Sequence, residues 1–152
     1  ASIRNKTASF ALDQVTLDII VSTGIVSNMM TTVNDYYYNS TLAHCVYYGS
    51  TVTEHGHHHL HGEVVSLGVL CLLEHDGQFE EEDRLMQFND SIGLPVCFDD
   101  VEIKESEFDK MADKFMQTTE WAHMPQGVTR ENFLESMRRE NAKGRAFKAA
   151  KK

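Results

Sequence analysis

Proline is almost missing from this chain: Pro95 and Pro125 are the only two in 152 residues. Little therefore forbids long helices, and each proline sits where a helix should stop. Cysteine is scarce too. Cys45, Cys71 and Cys97 are odd in number and have no C-x-x-C spacing, which excludes a disulfide framework and a cysteine-built zinc site and fits free thiols in a reducing cytoplasm. No apolar run approaches the ~20 residues that cross a bilayer, so no membrane partner is expected. The opening Ala1-Ser-Ile-Arg-Asn-Lys leads into mixed polar sequence; a secretory segment is not expected, and a cytoplasmic location is. Positive charge is short as well. The formal charge of -9 argues against a general nucleic-acid binder, and the one basic stretch, 138–152, reads as a solvated helix end. Neither G-x-G-x-x-G nor G-x-x-x-x-G-K occurs, so the chain brings no recognisable nucleotide cradle.

What is present is helical periodicity. The stretch 10–30 carries Leu12, Val15, Leu17, Ile19, Ile20, Ile25, Val26, Met29 and Met30, and its length favours a buried helix that Gly24 interrupts. Ser40 is placed to cap a short helix through Tyr47. Val64 to Leu73 leave little polar face, so 62–74 reads as a mostly buried helix. An amphipathic helix over 80–92 stops at Gly93 and Pro95. A further helix is expected to be capped by Ser106 and to carry the stripe Phe108, Met111, Ala112, Phe115 and Met116. The last opens at Thr129, with Val128 and Phe133 as a hydrophobic staple. The expected fold class is all-α, a helical bundle, in a single domain over 1–152.

Six of the eight histidines lie between His44 and His61. The tract 56–61 reads in one way as a loop with incidental metal affinity, with His57 and His58 in solvent. His61 is different, because it stands at the entrance of an apolar helix where its ring must be desolvated or engaged. His44 lies in another short helix, between Ala43 and Cys45. Two neutral imidazoles converging from separate helices make two-thirds of an open catalytic metal site. Nitrogen and oxygen donors suit zinc or iron(II) and do not decide between them.

These residues also carry a resemblance. Thr41-Leu-Ala-His44-Cys-Val-Tyr-Tyr-Gly49, followed by His57-His-His-Leu-His61-Gly-Glu63-Val-Val-Ser-Leu-Gly68, resembles the metal-binding region of glycerol dehydrogenases, in the iron-containing (or zinc-containing) alcohol dehydrogenase superfamily. Ser91-Ile-Gly-Leu-Pro-Val96 and His123-Met-Pro125 follow in the same order as in that family, so the resemblance covers roughly 12–147. It implies a helical C-terminal domain with His44 and His61 as ligands of a catalytic Zn2+ or Fe2+. It further implies NAD held mainly by an N-terminal α/β domain, a small polyol substrate in the cleft between domains, and a homo-oligomer. The metal would act as a Lewis acid on the substrate hydroxyl while hydride passes to the nicotinamide.

The chain is accordingly expected to be the C-terminal metal-bearing part of such an enzyme, inactive alone. An aspartate ligand of the family comes from well upstream of this segment and has no place here. A second family histidine is replaced by Tyr47, which with His123 is the expected lining of the substrate pocket. Tyr36, Tyr37 and Tyr38 are read as loop aromatics over the core, Cys45 as packing, and Glu63 as either an acceptor orienting His61 or a first-turn acid. Two alternatives stay open: a glycerol-1-phosphate dehydrogenase or 3-dehydroquinate-synthase-like enzyme, and a non-catalytic helical module binding metal or protein. Loss of a partner domain is expected to leave an apolar surface around Ile19, Ile20, Met29 and Met30 that promotes self-association.

Overall fold

The computed structural model describes residues 5–30 and 41–151. Tyr36, Tyr37, Tyr38 and the expected cap Ser40 lie outside the described residues, as does the side chain of Met30. By contacts the chain divides into two compact units, Ala1–Asn39 and Ser40–Lys152.

The first unit is a helical segment: α1 (Phe10–Leu17), a π-helical turn (Asp18–Thr23) and α2 (Gly24–Met30). Ser9 caps it, its hydroxyl accepting the Leu12 N–H at 3.2 Å. Helix was expected here, but burial was not met: Ile19, Ile20 and Met29 are 63%, 67% and 76% exposed. Apolar residues run around the whole segment, and among the described residues of its own unit no second layer covers them. Gly24 is not the interruption, since its backbone is helical at φ -64° and ψ -44°. The irregularity lies one turn earlier, where the backbone widens and the Thr23 hydroxyl donates to the Asp18 carbonyl at 3.4 Å. Counted as a whole, Phe10–Met29 is long and apolar enough to cross a membrane by length and composition. The expectation that no apolar run approaches this length is not met by this segment, whose charged residues are Asp13 and Asp18.

The second unit is a helical bundle: α3 (Leu42–Ser50), α4 (His61–His75), α5 (Phe79–Ile92), α6 (Phe108–Phe115), a short α7 (Thr119–Ala122) and α8 (Arg130–Ala149). No strand occurs among the described residues, so the all-α class holds. Phe98, Phe108, Phe115 and Phe133 are fully buried and form the centre; Phe98 and Phe108 lie 4.5 Å apart between ring centroids, and Phe115 and Phe133 5.7 Å. These four rings are the largest of the fully buried side chains, and aromatic rings of this kind carry much of a core's apolar burial. Val64, Leu67, Leu70 and Cys71 from α4 complete it, as the apolar run predicts.

Several local expectations shift by a residue or two. The cap of α3 is Thr41, whose hydroxyl accepts the Ala43 N–H at 3.3 Å. Ser106 does not cap α6; it sits inside a 3-10 turn (Glu105–Glu107), where Glu107 reaches back to accept the Lys104 N–H at 3.0 Å. Phe108, Met111, Ala112 and Phe115 are buried as expected, while Met116 is 43% exposed because the helix has ended before it. Gly93 stops α5 in the left-handed conformation, and Thr129 caps α8 by accepting the Asn132 N–H at 3.2 Å.

The cations of the basic stretch 138–152 are largely solvent-exposed, as expected, and they are also paired. Lys143 pairs with Glu82 at 2.5 Å and Asp83 at 2.7 Å, Arg145 with Asp99 at 2.7 Å, Lys151 with Asp90 at 2.6 Å, and Lys148 with Asp100. Acids of α5 and of the turn at 98–101 thus neutralise the face of α8 that lies against them. A free anion-binding patch is not left there.

Candidate metal centre

Both candidate histidines stand in the first turn of a helix. Thr41 fixes the start of α3 and so places His44 three residues on. The Leu60 N–H donates to the Glu63 carboxylate at 2.9 Å, which fixes the start of α4 at His61. Glu63 therefore closes the helix end, and it lies 3.7 Å from the ring of His59.

What brings the two rings together is a backbone contact. A Cβ added at Gly68 would stand 2.4 Å from the Ala43 carbonyl oxygen and 2.8 Å from the Ala43 Cα. Only a residue without a side chain lets α3 and α4 approach that far. Gly68 lies seven residues after His61, about two helical turns, and so on the same face of α4. Ala43 immediately precedes His44. The crossing that requires Gly68 thus sets the spacing of the pair: the rings of His44 and His61 lie 5.6 Å apart between centroids, tilted by 47°. Two imidazoles on one tetrahedral ion place their centroids roughly 5–6 Å apart, given nitrogen–zinc distances of about 2.0–2.1 Å. The pair has the spacing of a bidentate site.

The electrostatics agree. His44 Nδ1 is buried and has no hydrogen-bond partner. Burial, then the neighbouring His61, hold His44 below the ordinary imidazole range, with Glu120 opposing. A ring with a buried, unpartnered nitrogen leaves that atom free to take a ligand. Tyr47, one turn after His44, meets the His61 ring edge-on at 4.2 Å and 75°. It also packs against Tyr48 at 5.6 Å. His61 itself is exposed at the helix entrance, so the pair is closed on the His44 side and open on the other.

Sequence reasoning missed Glu120. It is only 9% exposed, in α7, where Thr118 caps by accepting the Trp121 N–H at 3.3 Å. Its carboxylate acts on His44 and, after burial, holds the Tyr48 hydroxyl above its ordinary value through charge and a hydrogen bond. Nothing in the sequence around it separates Glu120 from an ordinary first-turn acid; only the packing of α7 beside α3 gives it this place. His123 is exposed at the end of α7, with Nδ1 2.7 Å from the Thr119 carbonyl oxygen. Cys45 is fully buried, and burial pushes its thiol up to about 12, the behaviour of a packing residue. His57 and His58 are exposed, as expected.

The chain is similar to known proteins over part of its length. It is 30% identical over 111 residues to a glycerol dehydrogenase of Thermotoga maritima, covering 70% of this chain and 30% of that protein. A glycerol dehydrogenase of Escherichia coli O6:H1 is 34% identical over 92 residues, covering 57% of this chain and 25% of the relative. The crystal structure of a probable glycerol dehydrogenase from Sinorhizobium meliloti 1021 superposes with a TM-score of 0.64 at 26% identity, covering 72% of this chain and 33% of that one. The chain thus spans a third or less of the length of these relatives. No family model matches it.

Proposed function

We propose, for a chain that is glycerol dehydrogenase-like over about 70% of its length, that it is the metal-bearing helical part of an NAD-dependent polyol dehydrogenase. The observation that carries this reading is the His44–His61 pair: two rings at ligand spacing, with a buried unpartnered nitrogen on His44. The donor set fits a divalent ion such as Zn2+ or Fe2+, with two of the three protein ligands that an open catalytic site uses. Bound there, the ion supplies Lewis-acid polarisation of a substrate secondary hydroxyl, and NAD, held mainly by a further domain of the complete enzyme, accepts the hydride.

The chain's own residues prepare that chemistry. His44 and His61 hold their nitrogens at fixed separation because Gly68 locks the two helices. Tyr47 steadies the His61 ring by its edge contact and presents its hydroxyl on the same helical face as His44, where a polyol oxygen can be bound. Glu120 places a buried negative charge beside His44, which favours a cation at the pair. His123 is assigned to the outer lining of the same pocket. The complete enzyme is read as a cytoplasmic homo-oligomer acting on a small polyol, the three buried free cysteines fitting a reducing compartment.

Titration of the full chain with Zn2+ and with Fe2+, on wild type, His44→Ala and His61→Ala, tests the reading. A binding step lost in both variants is expected, together with no NAD-linked oxidation of glycerol by the isolated chain. Retention of every binding step in both variants refutes it and leaves the non-catalytic module.

A further inference from the structure

The loop between α3 and α4 holds a second set of metal-type donors, none of them used above. His55 and His58 flank one 3-10 turn, Gly56–His58, closed by the His58 N–H donating to the His55 carbonyl at 2.9 Å. Such a turn repeats every three residues, so side chains at i and i+3 stand one above the other. Their ring centroids are 5.3 Å apart, tilted by 47°. Facing them is Glu102, brought from the far side of the sequence at the end of the turn Phe98–Val101. One ring nitrogen from each histidine and one carboxylate oxygen of Glu102 lie within 4.8 Å of one another. Ligands about 2.0–2.2 Å from one zinc ion stand roughly 3–4 Å apart, a difference that side-chain rotation closes.

The arrangement is held rigidly. A Cβ on Gly56 would stand 1.9 Å from the Ser50 carbonyl oxygen, so the loop rests directly on the end of α3. There the Gly56 N–H donates to the Thr53 hydroxyl at 3.1 Å, which donates to Ser50 at 2.7 Å. The two distant segments are stapled next to the cluster: the Glu54 N–H donates to Glu107 at 3.0 Å, and Lys104 Nζ to Glu54 at 3.3 Å. Glu102 itself adopts a left-handed backbone, φ 55°, unusual for a residue with a side chain. His59, more buried than either exposed ligand, stands beside the set with its Nε2 3.5 Å from the Glu102 carboxylate.

We propose that His55, His58 and Glu102 form a second metal site, separate from the His44–His61 pair, that takes a divalent transition-metal ion. Two imidazoles and one carboxylate suit zinc or iron(II) alike, with water filling the open coordination. A three-ligand site open to solvent suits an exchangeable ion, and the site does not depend on the dehydrogenase reading.

The test is calorimetric titration with Zn2+ of the full chain carrying His61→Ala, which removes the first pair through an exposed residue. One equivalent is expected to bind. His58→Ala and Glu102→Gln, both at exposed positions, are each expected to weaken that binding by about tenfold or more. His57→Ala, one residue away in the same histidine tract, is expected to leave it unchanged, with circular dichroism confirming the helical fold of each variant. Unaltered binding in Glu102→Gln overturns the proposal, because the carboxylate is then no ligand. Equal losses in His57→Ala and His58→Ala overturn it too, since the tract then binds metal without a defined site.

Discussion

Gly68→Ala adds a single methyl group at the closest contact between α3 and α4. The new Cβ would lie 2.4 Å from the Ala43 carbonyl oxygen, whereas ordinary contact begins at 3.4 Å. The helices must separate there by about 1 Å, and overpacking of that kind costs about 1–3 kcal/mol. Alanine returns up to about 1 kcal/mol as the better helix former, so the net loss is on the order of 1–2 kcal/mol and the midpoint of thermal unfolding falls by roughly 3–10 °C. Gly62→Ala is the matched control in the same helix: a Cβ there meets nothing within 4 Å, so the change should be neutral or stabilising by up to about 1 kcal/mol. The two variants are compared by thermal melts followed by circular dichroism and by Zn2+ titration. Gly68→Ala should also weaken binding at the His44–His61 pair, since the same contact sets the ring spacing, while Gly62→Ala should not. A Gly68→Ala protein as stable as wild type, with metal binding intact, would show that the close crossing does not position the site.

Two further outcomes follow from the packing. Burial, reinforced by Glu82, Glu74 and Asp100 and opposed by Lys143, holds the Glu140 carboxyl well above its ordinary 4.5 in the folded state. Both Glu140 oxygens and one Glu82 oxygen are buried without a hydrogen-bond partner. An acid with a raised folded pKa contributes fully below its unfolded value and loses that contribution as pH rises through the folded one. Glu140→Gln keeps the neutral form, so its stability in urea, relative to wild type, should improve as pH rises above the ordinary carboxylate range; parallel pH profiles of the two proteins contradict this. The exposed apolar segment Phe10–Met29 should drive self-association in sedimentation velocity as concentration rises, and Ile20→Asp with Met29→Asp should reduce it. A wild-type chain that stays monomeric at high concentration rules this out.

Much of the bundle was legible because its signals are local. The run Val64–Leu73 calls for burial, and Val64, Leu67, Leu70, Cys71 and Leu73 are buried while Val65, Val69 and Leu72 are half-buried. Gly93 and Thr129 stopped and started helices by backbone chemistry confined to a few neighbours. Ser106 misled for the same reason: as a good capping residue it lost to Glu107, which reaches back to Lys104 and also holds the Glu54 backbone from a segment far away in sequence. The basic stretch 138–152 carried no sign of its acid partners, since those lie on α5 and the turn at 98–101.

The sequence by itself determined the helical class and the candidate histidines, because periodicity and residue type are local properties of the chain. Resemblance in ordered motifs added the dehydrogenase relationship, and His44 and His61 were named before any geometry. Only the tertiary structure decided what surrounds them. The Ala43–Gly68 contact, the burial of Glu120 beside His44, the buried Glu82–Glu140 pair and the meeting of Glu102 with His55 and His58 each join segments distant in sequence. Such contacts depend on how helices cross, and a helix crossing is set by the shapes of two faces at once, which no single stretch of sequence contains.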